Sequence, residues 1–322
     1  MTALPRLAVT LGDPAGIGPE VVLRAVVDAP WPCTVVGDRR LIEAAARRLG
    51  LPVPERVVED PAAHCPAKRL FEGKPSAEAG RAAAGAVRVA ARLVSRGAAD
   101  ALVTAPLNKQ SLGLAGEPFA GHTELLAAEF GAVVRMMLAG GPLRVVLATT
   151  HLALREVPAA LDVEGVTETC RVASEGLRRF GVAERPRLAL AALNPHASDG
   201  GRFGDEEERI LAPAIAAARA EGCTVEGPFP ADTLFARAAR PDAPYDAVVA
   251  LYHDQGLIPV KLAAFGKATN VTLGLPIVRT SPDHGTAFDI AGQGRADPSS
   301  LREALRVAAA LSKSARGASA PP

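Results

Sequence analysis

The feature that most constrains this chain is an alternation, almost from its first residues, of short apolar runs with longer stretches of helical periodicity. RLAVTL (6–11) reads as a strand, 18–28 as a helix and CTVVGD (33–38) as a second strand. Asp38 then stands where a helix cap belongs, and Gly50 where that helix should stop. The Ala-rich stretch 77–96 reads as a helix ended by Gly97, followed by the strand DALVTAP (100–106). AVVRMML (132–138) and LRVVLATT (143–150) flank Ala139, Gly140, Gly141 and Pro142, which is the turn chemistry of an antiparallel pair. Beyond them come a helix at 163–180, the strand RLALAAL (187–193), a helix at 205–221, the strands YDAVVALYH (245–253) and NVTLG (270–274), and a last helix at 299–312. The tail KSARGASAPP (313–322) is expected to be loose. Strands that alternate with helices predict an α/β layered fold with mostly parallel strands.

The length, 322 residues, suits two domains, yet no repeat and no low-complexity linker separates them. Two domains that exchange segments, with a cleft between them, satisfy both observations. Aromatic residues are only 4% of the chain, so the core must be built from Ala, Val and Leu, and stacking platforms for single-stranded nucleic acid are not expected. A net charge of +1 without a basic stripe argues against a nucleic-acid partner. No apolar run has membrane-spanning length, and MTALPRLAVTLGDP lacks the pattern of a signal peptide. Cys33, Cys65, Cys170 and Cys223 form no CxxC pair and read as free thiols in a reducing cytoplasm.

Six segments carry residues suited to chemistry. Leu11 to Glu20 (LGDPAGIGPE) follows a strand and opens a helix, so its glycines, Gly12 among them, let backbone approach a ligand. It lacks the third glycine of GxGxxG and the Lys of a P-loop, and a plain tight turn is the alternative reading. His151, His196 and His253 each lie at or just after the carboxyl end of an expected strand, where α/β sheets gather ligands. They can converge on one metal with a coordination position left open, or each can be a loop histidine bonded to nearby backbone. In GHTE (121–124) the Gly before a polar triplet reads as a helix cap, with Thr123 or the preceding turn supplying it; the functional alternative has His122 and Thr123 facing a small polar substrate. Lys261, Asn270 and Arg279 recur at nine-residue intervals and suit a ligand with a phosphate and a carboxylate, although ordinary surface charge explains the two cations equally well. NPHASDGGRFGDEE (194–207) reads as a site wall or a surface loop. In DHGTAFDIAG (283–292) small residues admit a flat ligand, and Asp289 is placed to bond a ribose hydroxyl.

Taken together, LGDPAGIGPE (11–20), GHTE (121–124), ATTHLALREV (148–157), LNPHASDGGRFGDEE (193–207), GPFPADTLF (227–235), LYHDQGLIPVK (251–261) and NVTLGLPIVRTSPDHGTAFDIAG (270–292) resemble the 4-hydroxythreonine-4-phosphate dehydrogenase family of vitamin B6 biosynthesis, in the same order and over nearly the whole chain. GDPAGIGPE and HGTAFDIAG are also similar to segments of isopropylmalate and isocitrate dehydrogenases. The resemblance implies two α/β/α domains of the isopropylmalate-dehydrogenase kind, not a Rossmann fold: residues 1–120 with 268–322 on the cofactor side, and 121–267 for metal, substrate and dimerisation. It implies one divalent metal (Zn, Mg or Co) on His151, His196 and His253. Substrate contacts are implied for His122, Thr123, Lys261, Asn270 and Arg279, with Lys261 also a candidate acid or base. Asp232 and Asp254 are implied cleft residues. Gly12, Asp13, His284, Gly285, Thr286 and Asp289 are the cofactor candidates for NAD or NADP. The implied reaction is oxidation of 4-phosphooxy-L-threonine to a β-keto acid that then decarboxylates. The implied assembly is a homodimer with the metal site at its interface. Related substrates, a four-carbon aldonate phosphate or an aromatic cis-dihydrodiol carboxylate, stay open, as does a metal-dependent hydrolase on the three imidazoles alone.

Overall fold

The computed structural model describes residues 3–66, 73–264 and 266–318, the side chains of 314–318 excepted. The chain divides into two compact units, Met1–Ala132 with Leu275–Lys313, and Val133–Gly274 with Ser314–Pro322.

The first unit begins β1 (Leu7–Thr10), α1 (Gly18–Val26), β2 (Cys33–Val36), α2 (Arg39–Leu49) and β3 (Val57–Val58). It continues with α3 (Ala77–Ser95), β4 (Ala101–Thr104), α4 (Lys109–Leu114) and α5 (His122–Phe130), and takes in β11 (Arg279–Pro282) and the helix α11, which begins at Ser299. Its strands lie in the order β3-β2-β1-β4-β11 and every adjacent pair is parallel. β1 and β4 are buried throughout, as continuous apolar runs covered on both faces must be. Asp38 caps α2 by accepting the Arg40 N–H at 3.0 Å, and Gly50 ends that helix in the left-handed conformation, as the sequence leads one to expect.

The second unit runs β5 (Arg135–Gly140), β6 (Leu143–Leu147), α6 (Val157–Ala160), α7 (Val163–Arg179), β7 (Arg187–Ala191), α8 (Ala212–Ala220), β8 (Thr224–Phe229), α9 (Ala231–Ala238), β9 (Ala247–Ala250), α10 (His253–Ala263) and β10 (Thr269–Leu273). Its strand order is β10-β5-β6-β9-β7-β8. β5 pairs antiparallel with both β10 and β6, so the turn after Gly140 makes the expected hairpin, and the remaining pairs are parallel. Leu138, Val145, Leu147, Val248, Leu257 and Val260 form its core. Each such fully buried Val or Leu is worth about 1.5–3 kcal/mol.

Both unit junctions fall later than the expected 120/121 and 267/268. Helix α5 packs on α3 and stays with the first unit, while β10 pairs with β5 and stays with the second. His122 and Thr123 therefore belong to the first unit and Asn270 to the second. Other differences are local. The strand expected to run to residue 253 stops at Ala250, and His253 instead opens α10, with Gly256 letting that helix sit against Val145, Leu147 and Ala250. The helix expected from 205 begins as a π turn at Glu207–Leu211. Helix α11 continues to Ala318 where a loose tail was expected, and residues 319–322 of that tail lie outside the described residues. Among the described residues no helix is long and apolar enough to cross a membrane.

Candidate active site

In the first unit the chain steps outward from β1 to β3 and then resumes on the other side of β1 at β4. The carboxyl ends of β1 and β4 thus form a topological switch point, where α/β sheets bind ligands. Gly12 stands there at φ +75°, and a Cβ on it would lie 2.5 Å from the Pro106 carbonyl oxygen. That close approach lets the Asp13 N–H donate to the same oxygen at 2.8 Å. Asp13 Oδ1 accepts the Ala15 N–H at 2.9 Å, while Oδ2 is buried with no hydrogen-bond partner. Burial pushes the Asp13 carboxyl above its ordinary range, against the opposing pull of the Ser111 hydroxyl and the Ala15 N–H.

The segment carrying His284, Gly285 and Thr286 packs on this loop. The Ile17 N–H donates to the Thr286 carbonyl at 2.9 Å, and Gly16 abuts Thr286 and Phe288. His284 Nδ1 is 3.0 Å from the Gly285 carbonyl, its Nε2 is buried without a partner, and Asp289 is exposed. Small residues and orphaned buried polar atoms on two joined loops suit a flat, polar cofactor.

The end of β4 organises a second group. Arg279 is 2% exposed and is the largest fully buried side chain among the described residues. Thr104 Oγ1 accepts from its Nη2 at 2.7 Å and its Nε at 3.2 Å. Burial lowers this guanidinium to about 10, and the charge of Glu124 opposes the shift. The His122 imidazole falls well below its ordinary range, first through burial and then through the Arg279 charge; a hydrogen bond to the Ala105 carbonyl works the other way. His122 Nε2 is sealed and has no hydrogen-bond partner, so Nδ1 is the atom that meets Ala105. The neutral ring therefore presents an acceptor at Nε2 beside a buried cation. Gly121, extended at φ 177°, is the N-cap of α5; no side chain caps it, so Thr123 does not play the capping part.

In the second unit the three histidines follow adjacent parallel strands, His151 after β6, His253 after β9 and His196 after β7. Three side chains tie these ends. The Thr149 hydroxyl donates to the Leu251 carbonyl at 2.6 Å. Gln255 accepts the Leu251 N–H and donates to the Ala192 carbonyl, both at 2.7 Å. Glu207 accepts the Leu193 and Asn194 N–H groups at 2.9 and 2.7 Å. The His151 and His253 rings lie 5.5 Å apart between centroids, and His253 Nδ1 is 2.7 Å from Asp254 Oδ1. Two adjacent imidazoles, one with a carboxylate on its other nitrogen, are the donor chemistry of a divalent transition metal. His196 is not brought to them: among the described residues no three His, Cys, Asp or Glu side chains are grouped to hold a metal ion. Lys261 is exposed in the last turn of α10, and Asp232 is exposed in the first turn of α9. Asn270, opposite Leu138 in β10, has a buried Oδ1 without a partner.

These arrangements define an α/β protein with a buried arginine–histidine corner in its first unit and an imidazole-bearing strand-end surface in its second. The sequence matches the family described as Pyridoxal phosphate biosynthetic protein PdxA over residues 30–308. It is 47% identical to a 4-hydroxythreonine-4-phosphate dehydrogenase of Beijerinckia indica, over 95% of this chain and 94% of that one. It is 46% identical to one of Acidithiobacillus ferrooxidans over 99% of both chains. The crystal structure of the Klebsiella pneumoniae 4-hydroxythreonine-4-phosphate dehydrogenase superposes with a TM-score of 0.87 at 40% identity, covering 96% of this chain and 99% of that one. A terephthalate 1,2-cis-dihydrodiol dehydrogenase from Burkholderia xenovorans LB400 superposes at 0.68 with 35% identity, over 96% of this chain and 98% of that one. The chain belongs to the PdxA family.

Thr104, Ala105, Asn194, Glu207 and Gln255 were not singled out from sequence for these parts. Thr104 and Ala105 sit inside an ordinary strand pattern. Glu207 lies inside a polar run in which nothing marks it as buried.

Proposed function

We propose that this chain is an NAD-dependent, divalent-metal-dependent dehydrogenase of 4-phosphooxy-L-threonine. Membership of the family supplies the class, an oxidoreductase of pyridoxal phosphate biosynthesis. The observation that supports the substrate reading is the buried Arg279 beside His122, whose buried Nε2 has no hydrogen-bond partner.

In this reading the first unit holds the nicotinamide against Gly12, Asp13, His284, Gly285, Thr286 and Asp289 and contributes His122, Thr123 and Arg279 to substrate, and the second supplies Lys261, Asn270, the metal ligands and the dimer contacts. Arg279, Lys261 and Asn270 take the phosphate and carboxylate, fixing the carbinol C–H toward the cofactor. His122 Nε2 accepts a hydrogen bond from the substrate, with Thr123 beside it. His151, His196 and His253 would hold the metal, and Asp254 keeps the His253 ring oriented. When bound, a divalent metal supplies Lewis-acid polarisation of the alcohol oxygen. NAD, when bound, would take the carbinol hydride to give 2-amino-3-oxo-4-phosphooxybutanoate, and the hydroxyl proton needs an acceptor, for which Lys261 is the candidate if it stands as the neutral amine instead of binding phosphate. Loss of carbon dioxide then yields 3-amino-2-oxopropyl phosphate.

We read the working form as a cytoplasmic homodimer with its site at the interface. Four free thiols suit a reducing compartment. Exposed apolar side chains flank all three histidines: Leu152 and Leu154 after His151, Phe203 beyond His196, and Ile258 and Leu262 on the helix that His253 opens. Leu154 at 68% and Leu262 at 81% exposure are apolar surface that a second copy would cover.

The test is NADH formation from 4-phosphooxy-L-threonine and from the amine-free 4-phosphothreonate, each with Zn, Co or Mg, and with NADP in parallel. Turnover of the amino acid supports the proposal. Activity confined to the amine-free acid would replace the substrate, and phosphate release without nicotinamide reduction would replace the reaction class.

A further inference from the structure

We infer that Glu207 is the positioning residue that holds His196 at the end of β7; the inference rests on the reading of His196 as a metal ligand. After Asn194 the chain enters an unusual turn. His196, Ala197, Ser198 and Asp199 take φ of 54°, 53°, 66° and 48°, and Gly200 and Gly201 follow at 68° and 90°. The left-handed region is disfavoured for any residue with a Cβ, so four such residues in a row must be held by their surroundings.

Glu207 does the holding at the entrance to this turn. It is 5% exposed. Its Oε1 accepts the Leu193 N–H at 2.9 Å and the Asn194 N–H at 2.7 Å, and its Oε2 accepts Asn194 Nδ2 at 2.9 Å. Asn194 Nδ2 also donates to Glu206 Oε2 at 2.7 Å. Inside the turn the Ala197 N–H returns to the Asn194 carbonyl at 3.2 Å, so the anchored residue sets the path of the left-handed run.

The site demands a carboxylate. Both oxygens of Glu207 face donors, so a glutamine there sets its NH2 against a donor in either orientation. Turning the Asn194 amide over does not relieve this, because its oxygen would then face the Glu206 carboxylate. Glu207→Gln therefore keeps the shape of the side chain and opens the clasp. Glu208, the next residue, is exposed and makes a matched control.

The experiment compares the wild-type enzyme with Glu207→Gln, Glu208→Gln, His196→Ala and Glu207→Gln/Ala197→Gly. Two readouts are taken on the substrate-free protein: amide hydrogen exchange over 194–201, and titration with Co2+ followed by its absorption spectrum. Glu207→Gln should exchange faster in this turn and bind Co2+ about tenfold or more weakly, the usual scale for loss of a group that orients a ligand. Glu208→Gln should match wild type. Adding Ala197→Gly removes one strained left-handed residue and should recover part of the lost Co2+ affinity, with thermal unfolding followed in parallel to separate this from a general gain in stability. If Glu207→Gln does not fold, Asn194→Ala, which removes only the amide leg of the clasp, should show the same two changes in smaller degree. Wild-type Co2+ affinity in the clasp variants, with His196→Ala defective, would overturn the proposal and leave the metal reading standing. Unchanged Co2+ binding in His196→Ala would remove the metal reading, and the proposal with it.

Discussion

The two regions to which we assign this protein's chemistry are built in opposite ways. The corner of the first unit is sealed: Arg279 and Thr104 are buried, His122 Nε2 is closed to solvent, and burial shifts both the guanidinium and the imidazole. The histidine surface of the second unit is open, with His151 and His196 exposed and exposed apolar residues close to each histidine in sequence. A buried acceptor without a partner is costly unless a ligand meets it, so our reading is that substrate meets His122 Nε2 in the first region. The second has two imidazoles together and a third apart, and our reading is that another chain finishes it.

The largest expected effect comes from the open region. Removing metal with a chelator should lower turnover by about a thousandfold or more, since in our reading a metal held by His151, His253 and His196 would polarise the alcohol oxygen. The melting temperature should move by no more than a few degrees, because the rings lie outside the core. Add-back of Zn, Co or Mg should restore activity. Full activity in chelator, with no metal found by elemental analysis, would break the comparison.

The sealed corner should respond next. Arg279→Lys loses the planar fork that meets Thr104, and the buried ammonium cannot replace it. We expect kcat/KM to fall by about 100-fold or more, mostly through KM, with a loss of stability as well. A variant with unchanged KM would show that Arg279 does not meet substrate.

A smaller but cleaner contrast sets His196→Ala against His64→Ala. His64 bonds Asp38 at 2.9 Å and lies in no shared motif. His196→Ala should lose most catalysis with little change in melting temperature, while His64→Ala keeps its activity. Equal losses in the two variants would mean the roles are misassigned.

The smallest effect is a pH dependence of stability. His122 is held neutral below its ordinary 6.5 in the folded chain and protonates normally when unfolded. The unfolded state therefore binds the extra proton as pH falls below about 6.5, and stability drops until the folded ring also protonates. Between pH 7 and 5 the wild type should lose more unfolding free energy than His122→Gln, by at most about 1.4 kcal/mol per pH unit. Urea unfolding across that range reads the difference, and parallel slopes would show that His122 is not sealed.

How far the sequence reached follows the same division. Strand–helix alternation, the Asp38 cap, the Gly50 stop and the Gly140–Pro142 turn are local signals, and they led to the right class of fold. Helix α10 was hidden because its sequence, HDQGLIPVKLA, contains both Gly and Pro, which read as breaks until packing shows Gly256 seated against β6 and β9. The candidate site residues with unusual chemistry, five of the six histidines and the spaced cations, stood out one by one. Their supports did not. Thr104 looks like any strand threonine, and Glu207 like any surface glutamate, until the fold brings Arg279 and Asn194 against them. That information lies in long-range contacts, which no local pattern carries.

The claim that a second chain completes the histidine surface is tested most directly with mixed dimers. His151→Ala, His196→Ala and His253→Ala subunits, each inactive alone, are combined in the three possible pairs. Ligands contributed by different chains leave one intact site in a mixed dimer, so random assortment returns about a quarter of wild-type activity. With one of three ligands coming from the partner, two of the three pairings should recover that activity and the third should stay dead. Recovery in none of the three would place all three ligands in one chain and contradict the account.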